Sequence, residues 1–191
     1  MSNYISEDWH LLRKRRGGLE VVDEGRAVLR DRVVALFFGA RWCPPSLAFL
    51  PKLNAWYEGL SEKLRNHFAL IYVSFDADAD TFGEHFERDH GDWYALAHDI
   101  DRASGLCDSL QCDGLPTLAV IDDDGRLITS DGIAQVERGG IARKGAESMV
   151  EWYTIYLRTQ SKVERKFRAD CDEIEAETAR RKAAAQKRKG P

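Results

Sequence analysis

The 191-residue chain has only four cysteines, five prolines, two methionines and five histidines, and each scarcity narrows what it can be. No Cys-x-x-Cys pair occurs among Cys43, Cys107, Cys112 and Cys171, and the histidines do not gather around them. The donor spacing of a zinc site is therefore missing, and no metal or cofactor is expected. No stretch approaches the roughly 18 apolar residues of a membrane helix, so a membrane partner is not expected either. The N-terminal segment lacks a signal peptide's apolar core, which makes a reducing, cytoplasmic location the expectation and free thiols the expected state of the cysteines. A net charge of −4 supplies no global attraction for nucleic acid.

What is present points to a globular α/β chain. Hydrophobic residues make up 43% and charged residues 31%, enough for one domain with a sound core and an appendage. The organising stretch is Val33-Val34-Ala35-Leu36-Phe37-Phe38, a continuous apolar run that reads as a buried central strand. Gly39-Ala40 lets the chain turn out of it into Arg41-Trp42-Cys43-Pro44-Pro45-Ser46. Two prolines fit a first helical turn, where their missing N–H groups have no partner to lose. Cys43 is thereby a thiol at a helix start, where free N–H groups and the helix dipole favour the thiolate, the nucleophilic form. Arg41 is placed to favour the thiolate further, and Trp42 to shield one side of the sulfur. An inert buried cysteine is the bland alternative, and the Pro-Pro pair argues against it.

The remaining elements follow from pattern. Ser6-Glu7-Asp8 reads as the cap of a short helix carrying Trp9, Leu11 and Leu12, closed by Lys14-Arg15-Arg16 and Gly17-Gly18. Leu19 to Val22 reads as an edge strand, with Glu24-Gly25 turning the chain toward Val33. A helix after Cys43 carries Leu47, Leu50, Leu53, Asn54, Tyr57 and Leu60 at helical spacing and is kinked at Pro51. Phe68 to Phe75 is the next buried strand. Asp76 to Asp80 reads as the cap of a helix bearing Phe82 and Phe86, since a calcium loop would need a glycine and a distal glutamate in register. Trp93 to Leu96 is extended, and His98 beside Asp99 in a loop is assigned a surface or structural role. Asp101 to Leu110 is a helix containing Cys107. Leu118 to Ile121 and Leu127 to Thr129 form a hairpin around Asp124-Gly125, the neighbouring aspartates being turn formers. Gly139-Gly140 opens a linker, and a helix from Ala146 packs Met149, Trp152, Tyr153, Tyr156 and Leu157 on the sheet.

Strand, Trp42-Cys43-Pro44-Pro45, helix, and later Gly114-Leu115-Pro116-Thr117 before an apolar strand together resemble the thioredoxin superfamily, most closely its tryparedoxins and nucleoredoxins. The resemblance runs from about Leu19 to Thr129. It implies a three-layer α/β/α fold with a mixed central sheet, a cis Leu115-Pro116 bond, and a substrate chain held by Trp42, Pro44, Pro45, Leu115 and Pro116. It implies a thiol-disulfide oxidoreductase, a protein-disulfide reductase with Cys43 and position 46 as the catalytic pair. Protein disulfides such as those of peroxiredoxins would be substrates and a low-molecular-weight thiol or dithiol the reductant. Ser46 departs from that pattern, because relatives carry the resolving cysteine there. Ser46 reads either as a natural monothiol site or as a Cys→Ser replacement that traps mixed disulfides. Leu47 stands where tryparedoxins have arginine, and Phe37 where thioredoxins proper have a buried acid. The alternative from another class is a binding module that has lost turnover and recruits partners through the same groove.

Residues 1–160 are assigned to the thioredoxin-like domain and 161–191 to a charged helical extension. Val163, Phe167, Cys171, Ile174 and Thr178 form a narrow apolar stripe, flanked by an acidic block and then a basic one. That stripe suits either a solvated helix or a dimer or partner contact. The basic end, Arg180 to Lys189, has the composition of a nuclear address, but without interleaved aromatics it carries no specificity for nucleic acid.

Overall fold

The computed structural model describes residues 9–23, 25–139, 145–157, 170–174 and 176–180. Two compact units divide the chain, Met1–Tyr156 and Leu157–Pro191. The first is built on a seven-stranded sheet. Its strands are β1 (Leu11–Arg15), β2 (Gly18–Val21), β3 (Val33–Gly39), β4 (Phe68–Ser74), β5 (Tyr94–Leu96), β6 (Thr117–Ile121) and β7 (Leu127–Thr129). They lie in the order β2-β1-β5-β4-β3-β6-β7. β3 and β5 flank β4 in parallel, and all other neighbours are antiparallel, so the sheet is mixed as expected. Every residue of β3 and β4 is buried, which is why both read as unbroken apolar runs rather than alternating ones.

Alternate residues of these strands face two helical layers. On one face Val34, Leu36, Phe38, Ala69, Ile71 and Val73 join Leu29 of α1 (Gly25–Leu29) and Ala103 and Leu106 of α5 (Ile100–Ser109). On the other face the packing is aromatic. Phe37 meets Phe49 of α2 (Pro44–Glu58), and Tyr72 packs near-parallel against both Phe82 and Phe86 of α4 (Ala79–Asp89), whose rings also touch each other. Phe68 there stacks on Trp152 of α7 (Gly145–Leu157). Two shorter helices, α3 (Glu62–Arg65) and α6 (Gly132–Gly139), complete the described elements of this unit. The three-layer α/β/α arrangement is the one the sequence implied.

The N-terminal expectation is corrected. Among the described residues, the stretch read as the end of a helix is strand β1, hairpinned to β2 through Gly17 and Gly18, both at positive φ. Arg15 and Arg13 pair with Glu20 across the hairpin, at 2.8 and 3.6 Å, so the basic run answers a cross-strand acid rather than a helix dipole. Ser6 to Asp8, the proposed cap, lie outside the described residues. Helices α1 and α6 went unforeseen, whereas Met149, Trp152, Tyr153 and Tyr156 are buried as expected. Within α2, Leu47 is exposed. The buried face is instead Phe49, Leu50, Leu53, Trp56 and Tyr57. Of the C-terminal stripe, Val163 and Phe167 lie outside the described residues, as do Gly140 of the linker and the basic end beyond Arg180.

Candidate active site

β3, an interior strand between β4 and β6, delivers the chain into a short loop before α2. Cys43 is the N-cap of α2, with extended backbone, no side-chain cap bond, and Pro44 and Pro45 filling the first two helical positions. Its sulfur is nearly covered, with 6% of the residue exposed. The thiol donates to the carbonyl oxygen of Leu115 at 3.6 Å, across a cis Leu115-Pro116 peptide. Residues 72 positions apart in the chain thus meet because β6 lies antiparallel beside β3. Trp42 is 63% exposed and Leu47 is also open to solvent, so two large apolar side chains flank an otherwise covered sulfur.

Ser46 is buried, 2% exposed, and its hydroxyl has no hydrogen-bond partner among the described residues. A buried hydroxyl without a partner is costly, whereas a thiol loses little there because sulfur hydrogen-bonds weakly. Phe37 packs against Phe49, Tyr72 and His90, so the floor beneath the site is aromatic.

The loop is held from behind by a group that sequence reasoning assigned only to helix capping. Asp76 is fully buried. It is Asp78 that caps α4, accepting from the N–H of Thr81. Asp76 Oδ1 accepts the backbone N–H of Arg41 at 2.6 Å, and Oδ2 accepts from Ser74 Oγ at 2.8 Å and Tyr72 OH at 3.0 Å. His85 Nδ1 lies 3.4 Å from the same oxygen. Burial alone would push this carboxyl up. The bonds from His85, the Arg41 N–H, Ser74 and Tyr72 outweigh burial and hold it at about 2. Next to it the Phe75 carbonyl accepts from Trp42 Nε1 at 2.8 Å, and the Phe75 N–H donates to Gly39 at 2.9 Å. The end of β4 is therefore zipped to Gly39-Ala40-Arg41-Trp42. A usable signal was present in Ser74-Phe75-Asp76, where polar side chains two apart continue one face of a buried strand.

The sequence-based candidates sort plainly. Cys43, Trp42, Pro44, Pro45, Ser46, Leu115 and Pro116 belong to one surface or lie directly beneath it. The guanidinium of Arg41 reaches Glu84 on α4 at 3.3 Å. His98 is a support: its Nε2 bonds the backbone oxygen of Asp76 at 2.9 Å. No group of three or more potential metal ligands occurs among the described residues.

The profile of the thioredoxin-like family matches residues 31–127, more than half of the chain. The chain belongs to the thioredoxin-like family. Among curated relatives, probable nucleoredoxin 1 of Arabidopsis thaliana is 32% identical over 103 residues, which are 54% of this chain and 17% of that protein. Human nucleoredoxin-like protein 1 is 30% identical over 118 residues, 60% of this chain and 56% of that one. The chain thus spans little more than half of the second relative and far less of the first. Among solved structures, tryparedoxin II complexed with glutathionylspermidine superposes with a TM-score of 0.61 at 26% identity, covering 71% of this chain and 89% of that one. Tryparedoxin from Trypanosoma brucei gives 0.60 at 27% identity, with 71% and 88% covered. The chain accordingly has the thioredoxin fold and is related, at low identity, to nucleoredoxins and tryparedoxins.

Proposed function

We propose that the protein is a monothiol thiol-disulfide oxidoreductase whose nucleophile is Cys43. The observation that carries this reading is the placement of the Cys43 sulfur at the start of α2, against the carbonyl of Leu115 and between exposed Trp42 and Leu47. A helix start favours thiolate, and the loop of Leu115 offers backbone groups to an extended chain carrying a disulfide. In the first step the Cys43 thiolate attacks one sulfur of a protein disulfide. A mixed disulfide forms, and the other substrate sulfur leaves as thiolate and takes a proton from solvent. With Ser46 beside it there is no second thiol in the motif. The mixed disulfide is therefore opened by external low-molecular-weight thiols: one attacks the Cys43 sulfur and releases the substrate's second thiol, another regenerates the Cys43 thiol, and the two small thiols end as one disulfide, their electrons having passed to the substrate. Protein disulfides of the peroxiredoxin kind are suitable substrates by their chemistry.

A second reading is favoured by Ser46 itself: without a resolving thiol, the groove serves to hold partners rather than to turn them over. Non-reducing gels after incubation with a disulfide protein, together with insulin reduction, separate the two. A long-lived adduct that is lost in Cys43→Ala, and insulin reduction that rises at least tenfold in Ser46→Cys, support the oxidoreductase. Non-covalent capture unaffected by Cys43→Ala supports the binding module. Alkylation of Cys107 or Cys171 faster than Cys43 refutes the choice of nucleophile.

A further inference from the structure

The end of α5 is closed by a motif that places two thiols together. Its helix terminates at Leu110, and Gln111 follows in the left-handed region at φ 55°. The N–H of Gln111 donates to Asp108 at 3.1 Å, and the N–H of Cys112 reaches back to the carbonyl of Cys107 at 2.9 Å. This pair of bonds around a left-handed residue is a Schellman closure, in which the side chain following the left-handed residue packs on one in the last helical turn. Apolar residues usually occupy those two places. Here they are Cys112 and Cys107, linked by the backbone bond that closes the motif. Both are half-buried free thiols packed against the core, and neither belongs to the Trp-Cys-Pro-Pro motif.

We infer that Cys107 and Cys112 form a second redox centre, a dithiol that closes to an intrachain disulfide at the expense of a low-molecular-weight disulfide. A backbone already turned back on itself brings the two residues close without rearranging the helix, which is what a disulfide's narrow geometry requires. The Cys107 thiolate attacks one sulfur of the small disulfide, forming a mixed disulfide and releasing one small thiol. Cys112, as thiolate, then attacks the Cys107 sulfur, and the second small thiol leaves. Two protein thiols are oxidised, one small disulfide is reduced to two thiols, and two protons pass to the departing groups. The half-buried position admits small oxidants better than protein ones.

Burial pushes the Cys107 thiol up, and burial together with the neighbouring Cys107 thiol pushes Cys112 up to about 12. The thiolates are consequently scarce at neutral pH, and closure is slow there and faster in mild alkali. Thiols held in their protonated form also make poor leaving groups, so the disulfide, once closed, resists reopening. Three residues beyond Cys112 is Leu115, whose carbonyl receives the Cys43 thiol. Closure therefore ties down the near end of that loop.

The site stands apart from Cys43, and its test is arranged accordingly. The full-length protein and its Cys43→Ser variant are incubated with oxidised glutathione at neutral and mildly alkaline pH, alkylated, digested with trypsin and mapped without reduction. No Lys or Arg falls between Arg102 and Arg126, so both thiols lie in one peptide, residues 103–126. The expected result, in both proteins, is a peptide two hydrogens lighter, in which neither cysteine is alkylated. Its yield should increase several-fold with the rise in pH. In Cys107→Ser or Cys112→Ser the remaining thiol should stay alkylatable or carry glutathione. Full alkylation of both thiols in the Cys43→Ser protein, or a peptide linking Cys112 to Cys43, overturns the proposal. Loss of Cys43 reactivity alone leaves it standing and strikes the preceding reading instead.

Discussion

Replacing Asp76 with asparagine removes the charge that anchors the loop leading to Cys43 while keeping the side chain's size. Four groups converge on the carboxylate at 2.6 to 3.4 Å, and none of its surface is exposed. A carboxyl held near 2 against an ordinary value of 3.8 gains about 2 kcal/mol of folding stability from its charged form. The amide also presents donors toward groups that are themselves donors, and leaving buried donors unmatched adds about 1 kcal/mol or more. Asp76→Asn should thus lose about 2–4 kcal/mol at pH 7. Urea unfolding followed by circular dichroism would show this as a midpoint lower by about 1–2 M. Because the folded carboxyl is depressed, its contribution is complete above about pH 5 and disappears as pH falls from about 4 toward 2. The gap between wild type and variant should therefore narrow over that acid window. Freeing the Arg41 N–H should also alter the alkylation rate of Cys43. A loss below about 0.5 kcal/mol, or a gap that does not change with pH, refutes the account of Asp76 as the loop's charged anchor.

Ser46→Ala removes a buried hydroxyl without a partner among the described residues, and should raise stability by about 1 kcal/mol in the same urea assay without creating disulfide reductase activity. Gly132→Ala should cost more than about 2 kcal/mol, since a Cβ there would lie 2.5 Å from the Leu118 carbonyl oxygen, a backbone atom that cannot step aside. His90 is buried with both ring nitrogens unpartnered among the described residues, and burial, then His85 and Lys14, push its pKa well below 6.5. The unfolded chain therefore binds a proton below about pH 6.5 that the folded chain refuses, and stability is lost as pH falls through that value. His90→Phe, which places a ring among Phe37, Tyr72, Phe86 and Trp93, should flatten thermal stability between pH 7 and 5.

The surroundings of Cys43 were legible because their signals are local. A continuous apolar run, two prolines after a cysteine and an Asp-Gly turn each dictate the conformation of the residues that carry them. The N-terminal hairpin was not legible for the opposite reason: Arg13 and Arg15 suit a helix end by sequence, and only pairing with Glu20 across a turn reveals them as strand residues. Leu47 misled similarly, since helical spacing marks a face but cannot say where that face leaves the core. Asp76 was misread because two aspartates near the start of α4 look alike in sequence. One caps the helix and the other is enclosed by donors from β4, α4 and the Arg41 loop. The meaning of the five-residue spacing between Cys107 and Cys112 likewise depends on the left-handed turn at Gln111.

The chain's five tryptophans are unevenly placed. Trp9, Trp56, Trp93 and Trp152 are enclosed by the core, and Trp42, the neighbour of Cys43, stands in solvent with its indole N–H tethered to Phe75. In optical terms the molecule holds four shielded emitters and one that water and small quenchers can reach. Iodide or acrylamide should extinguish one component of the emission and leave the rest, and a molecule settling on the Cys43 surface should protect that component. Occupancy can therefore be followed in unlabelled protein, in real time, from the red edge of its own fluorescence.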